Sequence, residues 1–341
     1  MFHFDSDYMA GAHPEIMRRL AETNLEHTIG YGFDEYSEEA RNRIREACHV
    51  PNALVQFLVG GTQTNATVID ALLRRHEGVL AADTGHINVH ESGAIEHSGH
   101  KVLALPAHNG KVSAADVADY LRTFYSDDTY EHMVAPGMLY ITQPTELGTL
   151  YSLAELEELS TLCHENHIPL YLDGARLAYA LASPAADFTL PDIARLCDVF
   201  YIGGTKCGAL FGEAVVAPNP ERLPHFFPLV KQHGALLAKG RLQGIQFATL
   251  FTDDLYVTIA RRAVLLAQRL RKAFETKGYP VAIDSPTNQQ FFVLPNELID
   301  KLLQSVTFEY WGPRGEKEST VRFVTSWATE EEAVQAVETL L

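Results

Sequence analysis

The clearest candidate for covalent chemistry is Lys206, in the run Tyr-Ile-Gly-Gly-Thr-Lys-Cys-Gly at residues 201–208. A lysine that ends an apolar strand and is closely followed by glycine can be desolvated enough to lose its proton and attack an aldehyde. Asp173, in Tyr-Leu-Asp-Gly-Ala-Arg, lies one strand earlier and can keep a pyridine nitrogen protonated. The lysine and the aspartate together predict Schiff-base chemistry with pyridoxal phosphate as the cofactor.

A glycine-rich turn offers a place for the phosphate of that cofactor. Gly-Gly-Thr-Gln-Thr-Asn at residues 60–65 follows an apolar run and opens a helical pattern. Glycines let the backbone approach an anion, and the free amides at a helix start attract negative charge, with Thr62 or Thr64 adding a hydroxyl. The same turn also fits a plain helix N-cap, and this alternative stays open at the level of sequence.

Other polar residues follow strands in the same way. Asp173 stands at the carboxyl end of its strand, where open α/β sheets bind ligands, although it also fits a helix N-cap. Arg176, three residues later, can clamp a carboxylate by a bidentate contact. His86 follows the apolar run 79–82, so its ring could lie over the cofactor ring and exchange protons.

Three further histidines, His90, His97 and His100, follow His86. The spacing of His86 and His90 fits one helix face, yet no His-Glu-x-x-His arrangement accompanies it. The sequence therefore predicts no metal site.

Short apolar runs alternating with amphipathic stretches must position these residues. The predicted strands are Leu54–Val59, Val79–Ala82, Lys101–Leu105, Met138–Thr142, Ile168–Leu172, Val199–Ile202 and Glu213–Ala217. The predicted helices among them are Gln63–Arg75, Ala114–Tyr125, Leu153–Glu165 and Asp192–Leu196. Strands alternating with helices predict an α/β fold, with a mostly parallel seven-stranded sheet between helices in a large cofactor-binding domain.

After Pro218-Asn219-Pro220 the pattern becomes a long helical region, Leu223–Lys277, followed by a smaller α+β unit. Its predicted strands are Pro280–Ile283, Gln290–Leu294, Val306–Trp311 and Thr320–Ser326. Its predicted helices are Pro295–Gln304 and Thr329–Leu341. We expect a large domain at residues 1–250 and a small C-terminal domain at residues 251–341.

Composition excludes several classes of partner. The 341 residues carry 27 Lys and Arg against 44 Asp and Glu, a net charge of -17, with no basic run, so nucleic acid and anionic membranes are poor partners. The first residues lack the features of a signal peptide, and no stretch approaches the roughly 20 apolar residues of a membrane span, which predicts a cytoplasmic protein. Four scattered cysteines predict free thiols.

Taken together, these motifs resemble the L-threonine aldolase branch of the β-eliminating lyase family, which are pyridoxal-phosphate enzymes with the fold of aspartate aminotransferase. The resemblance runs nearly end to end. It is carried by Phe4-Asp5-Ser6-Asp7, Ala10-Gly11-Ala12-His13-Pro14, Gly61-Thr62-Gln63-Thr64-Asn65, Leu172-Asp173-Gly174-Ala175-Arg176, Lys206 and Val321-Arg322-Phe323-Val324-Thr325.

The resemblance implies a role for each matching residue. Lys206 would form the Schiff base, Asp173 would hold the pyridine nitrogen and His86 would stack on the ring, while Gly61 and Thr62 would hold the phosphate. Ser6, Arg176 and Arg322 would bind the substrate carboxylate. The functional unit would be a homodimer or homotetramer with active sites at the interfaces, reached from a neighbouring subunit by Tyr31, Lys231 and Arg241.

One segment departs from the pattern of that family. Some threonine aldolases carry a second active-site histidine in Asn-Thr-His-Asn-Gly, whereas this chain has Gln143-Pro144-Thr145-Glu146-Leu147-Gly148, with Glu146 at the histidine position. The run resembles a subgroup that includes aldolases for aromatic β-hydroxy amino acids. Glu146 could be the acid or base, could orient a water, or could be an ordinary loop carboxylate.

The resemblance implies an aldehyde-lyase that cleaves a β-hydroxy-α-amino acid, such as threonine, allo-threonine or phenylserine, to glycine and an aldehyde. His86 or Glu146 would take the hydroxyl proton. Two alternatives remain at the level of sequence: another cofactor-dependent reaction, namely transamination or β-elimination, and a protein that binds the cofactor without turnover.

Overall fold

The computed structural model describes residues 1–341 and contains thirteen strands and fourteen α-helices. The strands are β1 (Phe2–His3), β2 (Leu54–Leu58), β3 (Glu77–Ala82), β4 (Val102–Leu105), β5 (Ala135–Thr142), β6 (Leu170–Asp173), β7 (Val199–Gly203), β8 (Glu213–Ala217), β9 (Val281–Ile283), β10 (Gln289–Pro295), β11 (Val306–Thr307), β12 (Glu309–Tyr310) and β13 (Glu318–Val324). The helices are α1 (Pro14–Glu22), α2 (Glu35–Ala47), α3 (Gly61–Leu72), α4 (His86–Val89), α5 (Ala94–His97), α6 (Ala114–Ser126), α7 (Leu153–Glu165), α8 (Leu177–Leu181), α9 (Leu190–Leu196), α10 (Phe226–Gln232), α11 (Arg241–Leu250), α12 (Leu255–Thr276), α13 (Asn296–Leu302) and α14 (Glu331–Leu340).

The seven strands predicted for the large sheet form one sheet in the order β2-β8-β7-β6-β5-β3-β4. Strands β3 to β7 pair in parallel, and β8 runs antiparallel to both of its neighbours. Every residue of β6, β7 and β8 is buried, because helices cover both faces of a parallel sheet and leave no solvated side. The predicted α/β class and mostly parallel sheet are therefore confirmed.

Local capping decides where several helices begin. Before α6, α7 and α9 stands a Ser or Thr whose hydroxyl accepts a hydrogen bond from the amide three residues later. The acidic side chain at that later position accepts a hydrogen bond from the amide of the Ser or Thr. Thr189 thereby starts α9 at Leu190, two residues before the predicted start at Asp192. Helices α1, α2, α4, α5 and α8 were not predicted from the sequence.

The predicted helical region Leu223–Lys277 is three helices rather than one. Gly234 has a φ of 67°, and Asp253 and Asp254 have φ values of 51° and 55°. These left-handed conformations interrupt a right-handed helix, so the chain turns between α10, α11 and α12. No helix of the protein combines the length and the apolar content needed to cross a bilayer.

The C-terminal part is built on a four-stranded antiparallel sheet in the order β12-β13-β10-β9. The predicted strand Val306–Trp311 is divided into β11 and β12, which belong to different sheets. Strand β1 pairs in parallel with β11, and Phe4 belongs to the same apolar cluster as Phe292 and Phe323. The N-terminal segment thus packs on the C-terminal unit, whereas the boundary at residues 250–251 stays a prediction.

Candidate active site

A cavity of about 230 Å³ opens where β5, β6 and β7 end. Its walls include Gly61 and Thr62 from the start of α3, Glu146 after β5, Asp173 from β6 and Lys206 after β7. Parallel neighbours present their carboxyl ends at the same edge, so residues far apart in the chain meet there. A second cavity of about 350 Å³ adjoins it and shares His86, Glu146, Arg176 and Lys206.

Lys206 lies in the buried loop between β7 and β8. Its backbone carbonyl accepts a hydrogen bond from the Tyr179 hydroxyl at 2.7 Å. Burial lowers the pKa of the Lys206 amine, and the nearby Arg176 guanidinium lowers it further, against the opposing carboxylates of Asp7, Asp173 and Glu213. The lysine is therefore held in the environment that favours its neutral, nucleophilic form.

Asp173 is 4% exposed, and both oxygens of its carboxyl group accept hydrogen bonds from the protein. Oδ2 accepts hydrogen bonds from the Tyr140 hydroxyl at 2.7 Å and from the Asn65 amide at 3.0 Å, and Oδ1 accepts one from the Ala175 backbone amide at 2.9 Å. The following helix α8 has Arg176 at its N-cap, so Asp173 does not cap it. These bonds fix the orientation of the carboxyl group at the cavity wall.

The glycine turn places the start of α3 on the cavity wall. Gly60, at the N-cap, supplies no side-chain bond to the first turn of the helix, which leaves amides free for an anion. A Cβ atom at Gly61 would lie 3.2 Å from the Tyr201 hydroxyl, so the approach of the turn to β7 favours glycine. Gly60 is thus the plain helix N-cap that the sequence also allowed, and binding of a phosphate at this turn stays a prediction.

His86 begins α4 and is tied to two acids. Its Nδ1 lies 2.7 Å from Oε1 of Glu91, whose side chain is fully buried, and its backbone amide donates to Glu146 Oε1 at 3.0 Å. A carboxylate accepts, so the His86 Nδ1 carries a proton and the Nε2 is left for other partners. Asn65 also donates to Glu91 Oε1, at 2.8 Å, which links this pair to Asp173.

Glu146 is a carboxyl whose acidity is shifted toward neutrality. Burial raises its pKa to about 7, with a further rise from Asp173 and an opposing effect from His86. Its Oε2 lies 3.3 Å from the Thr142 hydroxyl, and the residue lines both cavities. A carboxyl of this pKa can hold or release a proton at neutral pH.

Two arginines face the second cavity. Arg176 donates from Nε and Nη2 to the buried Asp7 carboxylate at 2.7 and 3.0 Å, and Arg322 donates to Glu309 and, at 2.9 Å, to Gln289. The Arg322 guanidinium also lies 5.0 Å from the centre of the Trp311 ring. These side chains hold both guanidinium groups in place, and both arginines remain on the wall of the second cavity.

The remaining predicted residues lie outside the walls of both cavities. Ser6 is buried but lines neither cavity, and its contact with a carboxylate stays a prediction. The Lys231 ammonium lies 4.6 Å from the centre of the Tyr31 ring, while Arg241 donates to the carbonyls of Thr23 and Asn24. Within one subunit, Tyr31, Lys231 and Arg241 do not line either cavity.

The polar residues of the site that were missed at the level of sequence include Asp7, Glu91, Thr205 and Glu213. Each had a weak local signal, because Asp7 and Thr205 adjoin Ser6 and Lys206, and Glu91 follows His86 by five positions. Glu213 opens the otherwise apolar strand Glu-Ala-Val-Val-Ala. Such signals identify a residue near a site without saying what it contacts.

The chain matches known proteins over nearly its whole length. A profile of the beta-eliminating lyase family matches residues 3–296. The low specificity L-threonine aldolase of Pseudomonas aeruginosa is 30% identical over 339 residues, covering 97% of this chain and 94% of that protein. The structure of a threonine aldolase from Leishmania major superimposes with a TM-score of 0.96 at 42% identity, covering 100% of this chain and 98% of that one.

A more distant structure supports the fold alone. Aspartate aminotransferase from Thermus thermophilus has a TM-score of 0.71 at 14% identity, covering 100% of this chain and 90% of that one. The resemblance of the large sheet to the aminotransferase fold is thereby confirmed.

The donor set of the first cavity fits pyridoxal phosphate. A desolvated amine, a fixed carboxylate and an uncapped helix start suit an aldehyde, a pyridine nitrogen and a phosphate respectively. The buried Glu91 Oε2 lacks a hydrogen-bond partner within the protein. An unpartnered buried oxygen on a cavity wall is expected where a bound group supplies the missing partner. With the family match across residues 3–296 and the close structural likeness, the chain belongs to the beta-eliminating lyase family, whose members are pyridoxal-phosphate-dependent lyases.

Proposed function

We propose that the protein cleaves β-hydroxy-α-amino acids of the threonine, allo-threonine or phenylserine type to glycine and an aldehyde. The observation that carries the proposal is a pair of adjoining cavities that share Lys206, Arg176 and Glu146, with Asp173 on the wall of the first and Arg322 on the wall of the second. That arrangement suits an amino acid whose amine, carboxylate and β-hydroxyl each need a different partner.

The cofactor end of the space is assigned to the residues that fit it. We assign Lys206 to the aldehyde, Asp173 to the pyridine nitrogen, Gly61 and Thr62 to the phosphate, and His86 to the ring face. When bound, pyridoxal phosphate supplies an electron sink for the bond broken at the α-carbon of the substrate. Three hydrogen bonds hold the Asp173 carboxyl group in the position that this assignment requires.

The substrate carboxylate is assigned to Arg176 and Arg322. Asp7 and Glu309 hold these guanidinium groups in position, and each guanidinium has more donors than its partner uses. A carboxylate pinned between two fixed cations has little freedom to rotate. The arginines would therefore determine which bond at the α-carbon is aligned for cleavage.

The proton of the β-hydroxyl is assigned to the pair formed by Glu146 and His86. Glu146 Oε1 accepts the His86 amide and Oε2 accepts the Thr142 hydroxyl at 3.3 Å, and a second lone pair of Oε2 can take the hydroxyl proton. His86 Nδ1–H is bound to Glu91, so its Nε2 can accept the same proton directly or through water. Either route returns the proton to the site for the glycine that is left behind.

The test is release of glycine from both enantiomers of threonine, allo-threonine and phenylserine, with Lys206→Ala as the control. We expect glycine and an aldehyde in equal amounts from at least one of them, and no turnover by the control. Keto acid with ammonia, or the amine form of the cofactor, would instead identify β-elimination or transamination. Binding of the cofactor without any product would identify a protein that does not turn over.

We also propose a homodimer or homotetramer in which a neighbouring subunit completes the site. Tyr31, Lys231 and Arg241 do not reach the cavities of their own chain, and nearby Leu25, Ile29 and Phe33 are 87, 70 and 63% exposed. Apolar exposure of this extent is typical of a surface covered by a partner. Sedimentation of the wild type and of Ile29→Glu tests this, because the charged variant should dissociate and lose activity.

A cytoplasmic location completes the proposal. All four cysteines are buried free thiols, which suits a reducing compartment. Cell fractionation with an antibody to the native protein tests the location.

A further inference from the structure

Glu213 is a buried carboxyl of the site to which the mechanism above gives no role. It is 3% exposed and is the first residue of β8. It lines the first cavity together with Lys206, but it does not line the second cavity, which holds the two arginines. Its place is therefore at the cofactor end of the space rather than at the substrate end.

The register of the sheet locates Glu213 more closely. It is the cross-strand partner of Leu58 at the end of β2 and of Gly203 at the end of β7. Strand β2 leads directly into the glycine turn at the start of α3, and β7 leads into the loop of Lys206. Glu213 thus lies between the turn assigned to the phosphate and the lysine assigned to the aldehyde.

The contacts of Glu213 suit either charge state. Oε1 accepts a hydrogen bond from the Thr205 hydroxyl at 2.8 Å, and Oε2 accepts one from the Gly204 amide at 3.2 Å. A neutral carboxyl can keep both bonds and still has an O–H to donate. Burial raises the pKa of Glu213 to about 8, with Asp173 raising it further and Lys206 lowering it.

Every titratable group that faces Glu213 can be named. Lys206 and Asp173 are its charged neighbours, from the loop after β7 and from β6. Tyr171, Tyr201, Tyr256 and Cys207 also face it, and burial raises the pKa of each well above its ordinary value. These four groups stay neutral near pH 8, so Lys206, whose pKa is lowered by burial, is the neighbour whose change of charge the test must separate from that of Glu213.

The first cavity has more carboxyl groups than cations on its walls, although it is assigned a phosphate. Its walls carry four carboxyls, Glu91, Glu146, Asp173 and Glu213, against two cations, Arg176 and Lys206. Arg176 is already neutralised by Asp7. A phosphate ester is close to a dianion above about pH 7, and a helix start offers only about half a positive charge against it.

We propose that Glu213 is the proton-bearing member of the phosphate site: the phosphate is accepted while the Glu213 carboxyl is protonated and is repelled once the carboxyl ionises. The inference rests on the proposed assignment of the phosphate to Gly61 and Thr62. The protonated carboxyl donates its O–H and adds no charge, whereas the ionised one places a like charge in a poorly solvated space. Phosphate binding is therefore linked to a proton on Glu213. The affinity for the phosphate is highest below the pKa of Glu213 in the cofactor-free protein, and it falls as the pH rises above that pKa.

The test compares pyridoxal phosphate with pyridoxal, which lacks the phosphate. Each is titrated into the cofactor-free full chain between about pH 7 and about pH 9.5, and the dissociation constants are obtained from visible absorbance. The ratio of the two constants removes effects common to both aldehydes, such as ionisation of Lys206. We expect the advantage of the phosphate to be constant up to about pH 8 and then to fall about tenfold for each pH unit.

Two variants assign the effect to one carboxyl. Glu213→Gln, which cannot ionise, should keep the full phosphate advantage throughout this range of pH. Glu146→Gln is the matched control, because Glu146 is a partly buried carboxyl whose pKa is also raised but which follows β5, beside His86, rather than lying on β8, so this variant should keep the wild-type fall. Circular dichroism verifies that both variants are folded.

The outcomes separate this inference from the proposed function. A phosphate advantage in the wild type that is independent of pH would overturn the inference, whether or not the variants fold. A fall that persists in Glu213→Gln would overturn it as well. Pyridoxal binding as tightly as pyridoxal phosphate at about pH 7 would overturn the phosphate site itself and the inference with it.

Discussion

Replacing Glu146 by glutamine is expected to stabilise the cofactor-free protein at alkaline pH while lowering its turnover. Burial raises the pKa of this carboxyl from 4.5 to about 7, so the folded chain prefers its protonated form. The unfolded chain loses that proton at lower pH. Stability contributed by the neutral carboxyl is therefore fully present below the unfolded pKa and is lost as pH rises through the folded one.

The size of the effect follows from the shift. Each pKa unit corresponds to about 1.4 kcal/mol, so a shift of roughly two to three units costs the wild type about 3 kcal/mol once both states are ionised. At about pH 5 the cost is below about 1 kcal/mol, because only the unfolded chain has begun to ionise. Glutamine cannot ionise, so the variant does not have this free-energy cost at either pH.

The assay is urea unfolding of the wild type and of Glu146→Gln, at about pH 5 and about pH 8.5. The free energy of unfolding of the variant should exceed that of the wild type by about 2 kcal/mol more at the higher pH than at the lower. Glu158→Gln, an exposed substitution on α7, serves as the control and should show no such difference. If the free energy of unfolding fell equally in the wild type and in Glu146→Gln between the two pH values, the conclusion that Glu146 is held as a neutral acid would be refuted.

Three further predictions concern the other parts of the site. Gly61→Ala should weaken binding of pyridoxal phosphate about tenfold, because the added Cβ meets the Tyr201 hydroxyl at 3.2 Å, and Tyr201→Phe in the same chain should restore most of the affinity in an absorbance titration. Glu91→Leu should lower kcat about 10- to 100-fold by leaving the His86 Nδ1–H without its partner, and an unchanged kcat in steady-state assays would exclude a role for this pair. Arg322→Lys should raise KM about tenfold or more with a smaller change in kcat, since lysine lacks the planar fork that binds a carboxylate, and a change in kcat alone would contradict the assignment.

Much of the fold was predictable because its strands are buried on both faces and therefore appear as uninterrupted apolar runs. All seven strands of the large sheet were found in this way, including the short β6. The division of 306–311 into β11 and β12 was not found, because pairing with β1 and with β13 is a choice among distant partners that no local pattern encodes. The breaks after α10 and α11 were missed for a related reason: the second of them is formed by two aspartates, Asp253 and Asp254, in a left-handed conformation that aspartate seldom adopts.

By itself, the sequence determined the residues that carry the chemistry. Asp173 is the last residue of the apolar strand β6, and Lys206 follows the apolar strand β7 by three residues, so both are visible as polar residues at the ends of apolar runs. The tertiary structure alone decided how those residues are held. Asp7 meets Arg176 across 169 positions of the chain, and Asn65 meets Asp173 across 108. Glu213 reaches the lysine loop because β8 lies between β2 and β7. The pKa of a carboxyl depends on burial and on neighbours brought together by packing, so the charge states of Glu146 and Glu213 could be known only from the folded protein.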